Sequence, residues 1–236
     1  FLHTLFRTST ALGIDSFLLP LDDRQRNVLL SELKAESWAF GSNLMDSLSP
    51  GFHNLRELYY NALELMRSAN NSEIVGTKVT CTSRWHSRLI DETDIGVIYI
   101  YRDPRDVMLS SKNRFAWYDL YTFILDYRKD VESAFRIDSH RLLRLRFEDL
   151  ITDTDRQIGA LSEFLGVEIT TGFEVLEDKG FAWSDNSSFH NITKPFDRRV
   201  CYRWKTRQQS KEVKSCEIVM SSLIRMMGYE IGQSYN

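Results

Sequence analysis

Arg102 and Ser110 stand eight residues apart in Tyr101-Arg102-Asp103-Pro104-Arg105-Asp106-Val107-Met108-Leu109-Ser110, and their types suit oxyanion chemistry. A guanidinium fork binds phosphate-like oxygens bidentately, and a serine hydroxyl adds a neutral donor. The flanking residues say how the pair would be held. Val97-Ile98-Tyr99-Ile100-Tyr101 is an apolar, β-branched and aromatic run that predicts a buried parallel strand. Pro104 has a fixed φ and no N–H to lose in a first helical turn, so Asp103 suits the N-cap and Pro104 the N1 position. The strand then delivers Arg102 to its C-terminal edge, where open α/β sheets bind ligands, and Ser110 follows two helical turns on. The bland alternative is a strand–turn–helix junction whose arginine makes a surface ion pair worth about 0–1 kcal/mol.

Two other stretches carry chemistry-bearing types. Residues 194–214, from Lys194-Pro195-Phe196-Asp197-Arg198-Arg199 through Arg203-Trp204-Lys205, hold eight Lys/Arg against two acids. The chain as a whole has a net charge of −3, so this concentration of positive charge suits a polyanionic ligand, or else a solvated face. Asn186-Ser187-Ser188-Phe189 places small polar donors beside an aromatic ring.

The elements behind these residues alternate. Helices are predicted over 1–12, 22–35 and 54–69, the last with Leu55, Leu58, Tyr59, Ala62, Leu65 and Met66 on one face. A strand is expected at 76–81, a short helix around 85–91, and the strand at 96–101. A helix after Pro104 leads to a long one at 118–136, which carries Leu120, Phe123, Ile124, Tyr127, Val131 and Phe135 on one side. A strand at 142–147 precedes a helix at 153–165 closed by Gly166, a loose stretch at 167–200, and a final helix near 209–227 ending at Gly228. Strands alternating with helices imply a mainly parallel sheet with helices on both faces.

Composition bounds the class. At 236 residues and 42% hydrophobic content, a single globular domain over 1–236 is expected, with a core that needs no disulfides. The charge balance argues against a general nucleic-acid binder. Cys81, Cys201 and Cys216 are odd in number and widely spaced, which fits neither a disulfide framework nor a zinc pattern; Cys81 reads as buried in a strand. No run of eighteen apolar residues and no basic leader occurs, so neither a membrane span nor a signal peptide is read. A cytoplasmic setting is the default expectation, with a Golgi lumen open if a membrane anchor was removed. Sequons at Asn70, Asn186 and Asn191 matter only for a secreted protein.

Taken in order, these motifs resemble the sulfotransferase family from about residue 76 to 230. Tyr-Arg-Asp-Pro-Arg-Asp-Val-x-x-Ser resembles its second nucleotide motif, in which the Arg and Ser hold the 3′-phosphate of the donor PAPS (3′-phosphoadenosine 5′-phosphosulfate). Arg146-Phe147-Glu148-Asp149-Leu150 with Phe164-Leu165-Gly166 resembles a strand–helix segment whose role is packing. Asn186-Ser187-Ser188-Phe189 resembles the loop at the adenosine, which implies Ser188 and Phe189 as donor contacts. The late basic loop resembles one that ends in a Trp-Lys or Arg-Trp pair; spacing back from Trp204 favours Arg198 and Arg199 on the 3′-phosphate, with Arg203 as the alternative. The family's glycine in that loop is not in its usual place.

The resemblance implies an α/β fold of three layers, a mainly parallel central sheet flanked by helices, like the P-loop NTPases. It implies in-line transfer of a sulfuryl group from PAPS to a hydroxyl or amine of a small-molecule or carbohydrate acceptor, without a metal. The family's opening phosphosulfate-binding loop is missing from this chain, whose Phe1-Leu2-His3 stand where residues after that loop are expected. The implication is an N-terminal truncation that removes half of the donor site. Where many members carry Lys-Thr-His, this chain has Lys78-Val79-Thr80; Lys78 then contacts the phosphosulfate or the acceptor, and His86 is the nearest substitute base. Phe115, Trp117, Tyr118 and Tyr121 line either a cleft or the core, and Phe181 and Trp183 could form a lid. The competing readings are an ATP-dependent small-molecule kinase of P-loop type and a non-catalytic nucleotide-binding protein.

Overall fold

The computed structural model describes residues 2–35, 47–48, 50–79, 85–115, 118–169 and 198–232. They fall into two compact units, Phe1–Ile95 and Gly96–Asn236.

The first unit is helical: α1 (Leu2–Ala11), α2 (Asp23–Ala35), α3 (Leu55–Asn70) and α4 (His86–Glu92). Helix α3 starts where Asn54 accepts a hydrogen bond from the Glu57 amide at 2.9 Å, and it ends at Asn71 in the left-handed region. Its stripe behaves as the spacing predicts. Leu55, Leu58, Tyr59, Ala62 and Met66 are buried, with Leu65 half-buried at the margin. Phe6 and Trp85 stack with ring centroids 4.8 Å apart, and Phe17 meets both edge-on. Glu92 ties the 16–17 turn to α4 through the Ser16 hydroxyl and the Phe17 amide.

The strand expected at 76–81 is not found over 76–79, which form irregular chain. An isolated strand cannot satisfy its backbone without a ladder partner. What pins this stretch instead is a side-chain bond between the Tyr59 hydroxyl and Thr77 Oγ1, at 3.0 Å. Residues 80 and 81, including Cys81, lie outside the described residues.

The second unit holds the sheet. Strands β1 (Val97–Tyr101) and β2 (Leu142–Arg146) pair in parallel, with Val97 opposite Leu142 and Tyr101 opposite Arg146. They are the two strands among the described residues. Helices α5 (Pro104–Arg114) and α6 (Leu120–Arg136) provide the crossover between them. After β2 come α7 (Phe147–Thr152), α8 (Thr154–Leu165), two short 3-10 turns at Arg198–Val200 and Arg203–Arg207, and α9 (Lys211–Met226). The expected helix near 118 begins at Leu120 because Asp119 caps it, accepting from the Thr122 amide at 2.7 Å. Gly166, with φ of 67°, closes α8 as expected.

The core of this unit joins Met108 and Leu109 of α5, Ile124 and Val131 of α6, and Val213, Met220 and Ile224 of α9. Leu120, Phe123, Tyr127 and Phe135 pack against it, as does Tyr118, the one member of the Phe115, Trp117, Tyr118 and Tyr121 set found against the core among the described residues. Phe115 and Tyr121 are exposed, Tyr121 at 70%.

Candidate functional site

The site grows from the C-terminal ends of the two strands. Parallel pairing in register puts Tyr101 beside Arg146, so the sheet edge presents Arg102, one residue past β1, next to Arg146, the last of β2. The chain turns at Asp103 as its chemistry predicts: the carboxylate accepts the Arg105 amide at 3.0 Å and Pro104 opens α5.

Arg102 leans over the Phe147 ring, with its guanidinium carbon 4.6 Å from the centroid, and donates to the Val200 carbonyl. Its charge lies 3.6 Å from Asp106 Oδ2, beyond hydrogen-bonding distance. Asp106 is one turn before Ser110 on the same face of α5, and Arg102 approaches Asp106 from the turn that precedes the helix. Ser110 is half-buried.

Asp106 also recruits the basic segment. Its Oδ1 accepts the Trp204 amide at 2.8 Å, and the carboxylate is 2% exposed. Burial pushes Asp106 above the usual carboxylate range, against the pull of Arg102 and the Trp204 N–H. Residues 198–207 are thereby drawn to the Arg102 turn from about a hundred residues away in sequence. Within the segment Arg203 donates to the Arg199 carbonyl at 3.1 Å. Arg198 and Arg199 are exposed and Arg203 is half-buried. The segment that carries Arg198, Arg199 and Arg203 thus meets the Arg102 turn through the Val200 carbonyl and the Trp204 amide.

Beneath them lies a charge network that sequence reasoning missed. Arg105, 1% exposed, grips Asp103 with two side-chain bonds of 2.9 and 2.8 Å, and Glu217 of α9 with a third at 2.8 Å. A fourth goes to the Glu230 carbonyl, and the guanidinium carbon sits 3.5 Å from the Trp204 ring centroid. Burial alone would lower the Arg105 pKa, but Asp103 and Glu217 outweigh it and hold it above its ordinary value. The one signal available in the sequence was the Asp-Pro-Arg-Asp spacing, which does not reveal a partner more than a hundred residues on.

Arg146 was likewise passed over as part of a packing motif. It donates to the Tyr202 hydroxyl at 3.0 Å and lies over the Tyr229 ring at 4.1 Å. Tyr202 itself has φ of 58°, the left-handed conformation that glycine ordinarily supplies. Below, Glu148 is fully buried and accepts the Tyr229 hydroxyl at 2.5 Å and the Asp103 amide at 3.2 Å. Burial raises its pKa, partly offset by those two donors.

Arg102 Nε and Arg146 Nε are buried donors with no hydrogen-bond partner among the described residues. Both atoms are buried at the C-terminal end of the sheet, whereas Arg198 and Arg199 of the segment joined to Arg102 are exposed, and guanidinium groups suit a phosphate dianion. Cys201 sits in the same segment, where burial pushes its thiol up to about 11.

Residues 53–171 match a family model described as "Sulfotransferase family". The chain belongs to the sulfotransferase family. A solved structure, "Sulfotransferase Domain from the Curacin Biosynthetic Pathway", superposes with a TM-score of 0.52 and 16% identity, over 97% of this chain and 87% of that one. That likeness establishes a sulfotransferase fold, a parallel sheet flanked by helices, as the sequence led us to expect. No curated protein sequence matches.

The other candidates of this sulfotransferase belong to the first unit or fall outside the described residues. Lys78 is exposed in the first unit. His86, the first residue of α4 in that unit, is 4% exposed. Ser188 and Phe189, with Trp117, Phe181 and Trp183, lie outside the described residues. Among the described residues no group of three His, Cys, Asp or Glu could hold a metal, and no helix is long and apolar enough to cross a membrane.

Proposed function

We propose that this sulfotransferase uses PAPS as donor and transfers its sulfuryl group to a hydroxyl or amine of a small-molecule or carbohydrate acceptor. The observation that carries the reading is the convergence of the strand-end Arg102 with the basic segment, through Val200 and the Asp106–Trp204 bond. A site that gathers several guanidinium groups around a sheet edge suits a nucleotide's extra phosphate better than a neutral ligand. In this reading Arg102, Ser110, Arg198, Arg199 and Arg203 hold the 3′-phosphate, and Ser188 and Phe189 meet the adenosine.

The donor supplies the activated sulfuryl group. The acceptor oxygen or nitrogen forms its bond to sulfur as the bond from sulfur to the 5′-phosphate oxygen breaks, and the acceptor's proton passes to a base. Lys78 is the cation assigned to the charge on the departing phosphate, and His86 is assigned as the base. No metal takes part in this reading. The setting we propose is cytoplasmic.

PAP, the desulfated product, is expected to raise the melting temperature without Mg²⁺, and Arg102→Ala is expected to abolish that rise. Stabilisation by ATP–Mg²⁺ but not by PAP would overturn the proposal in favour of a kinase. Labelled PAPS offered with alcohols, phenols, sugars and amines then identifies the acceptor class, and binding without transfer to any of them would mark a non-catalytic nucleotide binder.

A further inference from the structure

A non-glycine residue in the left-handed region persists only where its surroundings hold it, and such residues gather at functional sites. Tyr202, with φ of 58°, is one of two among the described residues, and it sits at the head of the second 3-10 turn, between Val200 and Trp204. The other, Asn71, is an ordinary helix cap of a residue type that tolerates the conformation. An aromatic side chain has no such tolerance, so its retention needs a reason.

The side chain gives one. The Tyr202 hydroxyl accepts from Arg146 at 3.0 Å, and Lys205 lies 4.9 Å from the face of its ring. Arg146 is itself fixed, at the end of β2, stacked over Tyr229 and 3.8 Å from the buried Glu148. Because Tyr101 and Arg146 are in register, Arg102 falls one residue beyond Arg146, level with Phe147, whose ring it covers. The two reach the same segment two residues apart, Arg102 at the Val200 carbonyl and Arg146 at the Tyr202 hydroxyl. Asp106 takes the Trp204 amide two residues further on. The segment is thus sewn to the sheet edge at alternate positions, and the left-handed turn at Tyr202 lies at the middle stitch.

We infer that Arg146 and Tyr202 are positioning residues for anion binding: their contact fixes the left-handed turn that sets Arg199 and Arg203 against Arg102. This deepens the donor reading above and rests on it. Arg146 acts through Tyr202 and the segment.

The experiment is a calorimetric titration of PAP into the wild-type protein and into Arg146→Met, Arg146→Lys, Tyr202→Phe, Tyr202→Gly and the double variant Arg146→Met/Tyr202→Phe, each first shown to be folded by its circular dichroism. Arg146→Met and Tyr202→Phe are each expected to weaken PAP about tenfold, the scale of a lost hydrogen bond to a charged group. The double variant is expected to be no weaker than either, as for partners in one contact. Arg146→Lys, which keeps a donor for the hydroxyl, is expected to recover most of the affinity. Tyr202→Gly supplies the left-handed turn without the contact and is expected to recover much of the affinity that Tyr202→Phe loses. Additive losses, wild-type affinity in Tyr202→Phe, or a Tyr202→Gly variant that binds as weakly as Tyr202→Phe would each overturn the inference while leaving the donor reading intact. A wild-type protein that does not bind PAP would overturn both.

Discussion

At the scale of single residues, the two arginines of Arg-Asp-Pro-Arg do opposite work. Arg102 keeps a donor without a partner at the sheet edge, whereas Arg105 spends its donors on Asp103, Glu217 and a backbone carbonyl inside the core. A buried ion pair adds little net stability over an apolar replacement of the whole network, but removal of one partner leaves uncompensated charge. Arg105→Leu is therefore expected to cost about 3–5 kcal/mol, because Asp103 and Glu217 both stay buried and unpaired. Urea unfolding followed by circular dichroism measures it, and a loss below about 1 kcal/mol would contradict the network's burial. Asp103 also shows how one carboxylate serves two ends: it caps α5 and holds the guanidinium that packs on Trp204.

Elements here are set by their ends as much as by their faces. Helix α3 has a strongly one-sided apolar stripe, but its start is fixed by the Asn54 side chain on the Glu57 amide. Asn54→Ala is expected to destabilise the protein by about 1 kcal/mol, whereas Asn54→Asp, which keeps the acceptor, should be close to neutral. Thermal melts of the two variants side by side test this; equal losses would mean that the cap is not what stops the helix there. The strand–helix junctions follow the same logic. Pro104 begins α5 directly after the Arg102 turn, and Phe147 begins α7 directly after Arg146, so both strands release an arginine at the point where a helix takes over.

At the scale of the whole molecule, carboxylates in the two units respond to pH in opposite directions. In the first, burial alone would raise Glu92, but Ser16, the Phe17 amide and Arg88 outweigh it and hold its pKa below the ordinary value. Its contribution to stability is present above the ordinary carboxylate range and is lost as pH falls through the lowered value. In the second, Asp106 and Glu148 are raised by burial. They bind protons more readily folded than unfolded, so stability falls as pH rises from the ordinary carboxylate range through their raised values. Glu148→Gln, which keeps an acceptor for Asp103, is expected to flatten that fall. Melting temperatures of wild type and variant at mildly acidic and at neutral pH measure the difference, and an unchanged slope would remove Glu148 from the account.

The sequence alone determined the local pieces whose physics is local. The apolar run 97–101, the Asp-Pro start of α5, the stripe of α3 and the glycine that ends α8 each depend on near neighbours and form where the pattern puts them, but the strand is not buried as expected, with Ile98 and Ile100 exposed. It also marked Arg102 and the basic residues at 198–203 as anion-binding types, because guanidinium chemistry does not depend on the fold. Only tertiary structure decided that these two regions meet, since the Asp106–Trp204 bond spans ninety-eight residues. It decided that 76–79 is irregular, because strand formation needs a partner that no local pattern supplies. It decided too that Arg105, identical in type to Arg102 and three residues away, turns inward. Which of two arginines is buried depends on whether a distant carboxylate awaits it, and Glu217 comes from the far end of the chain.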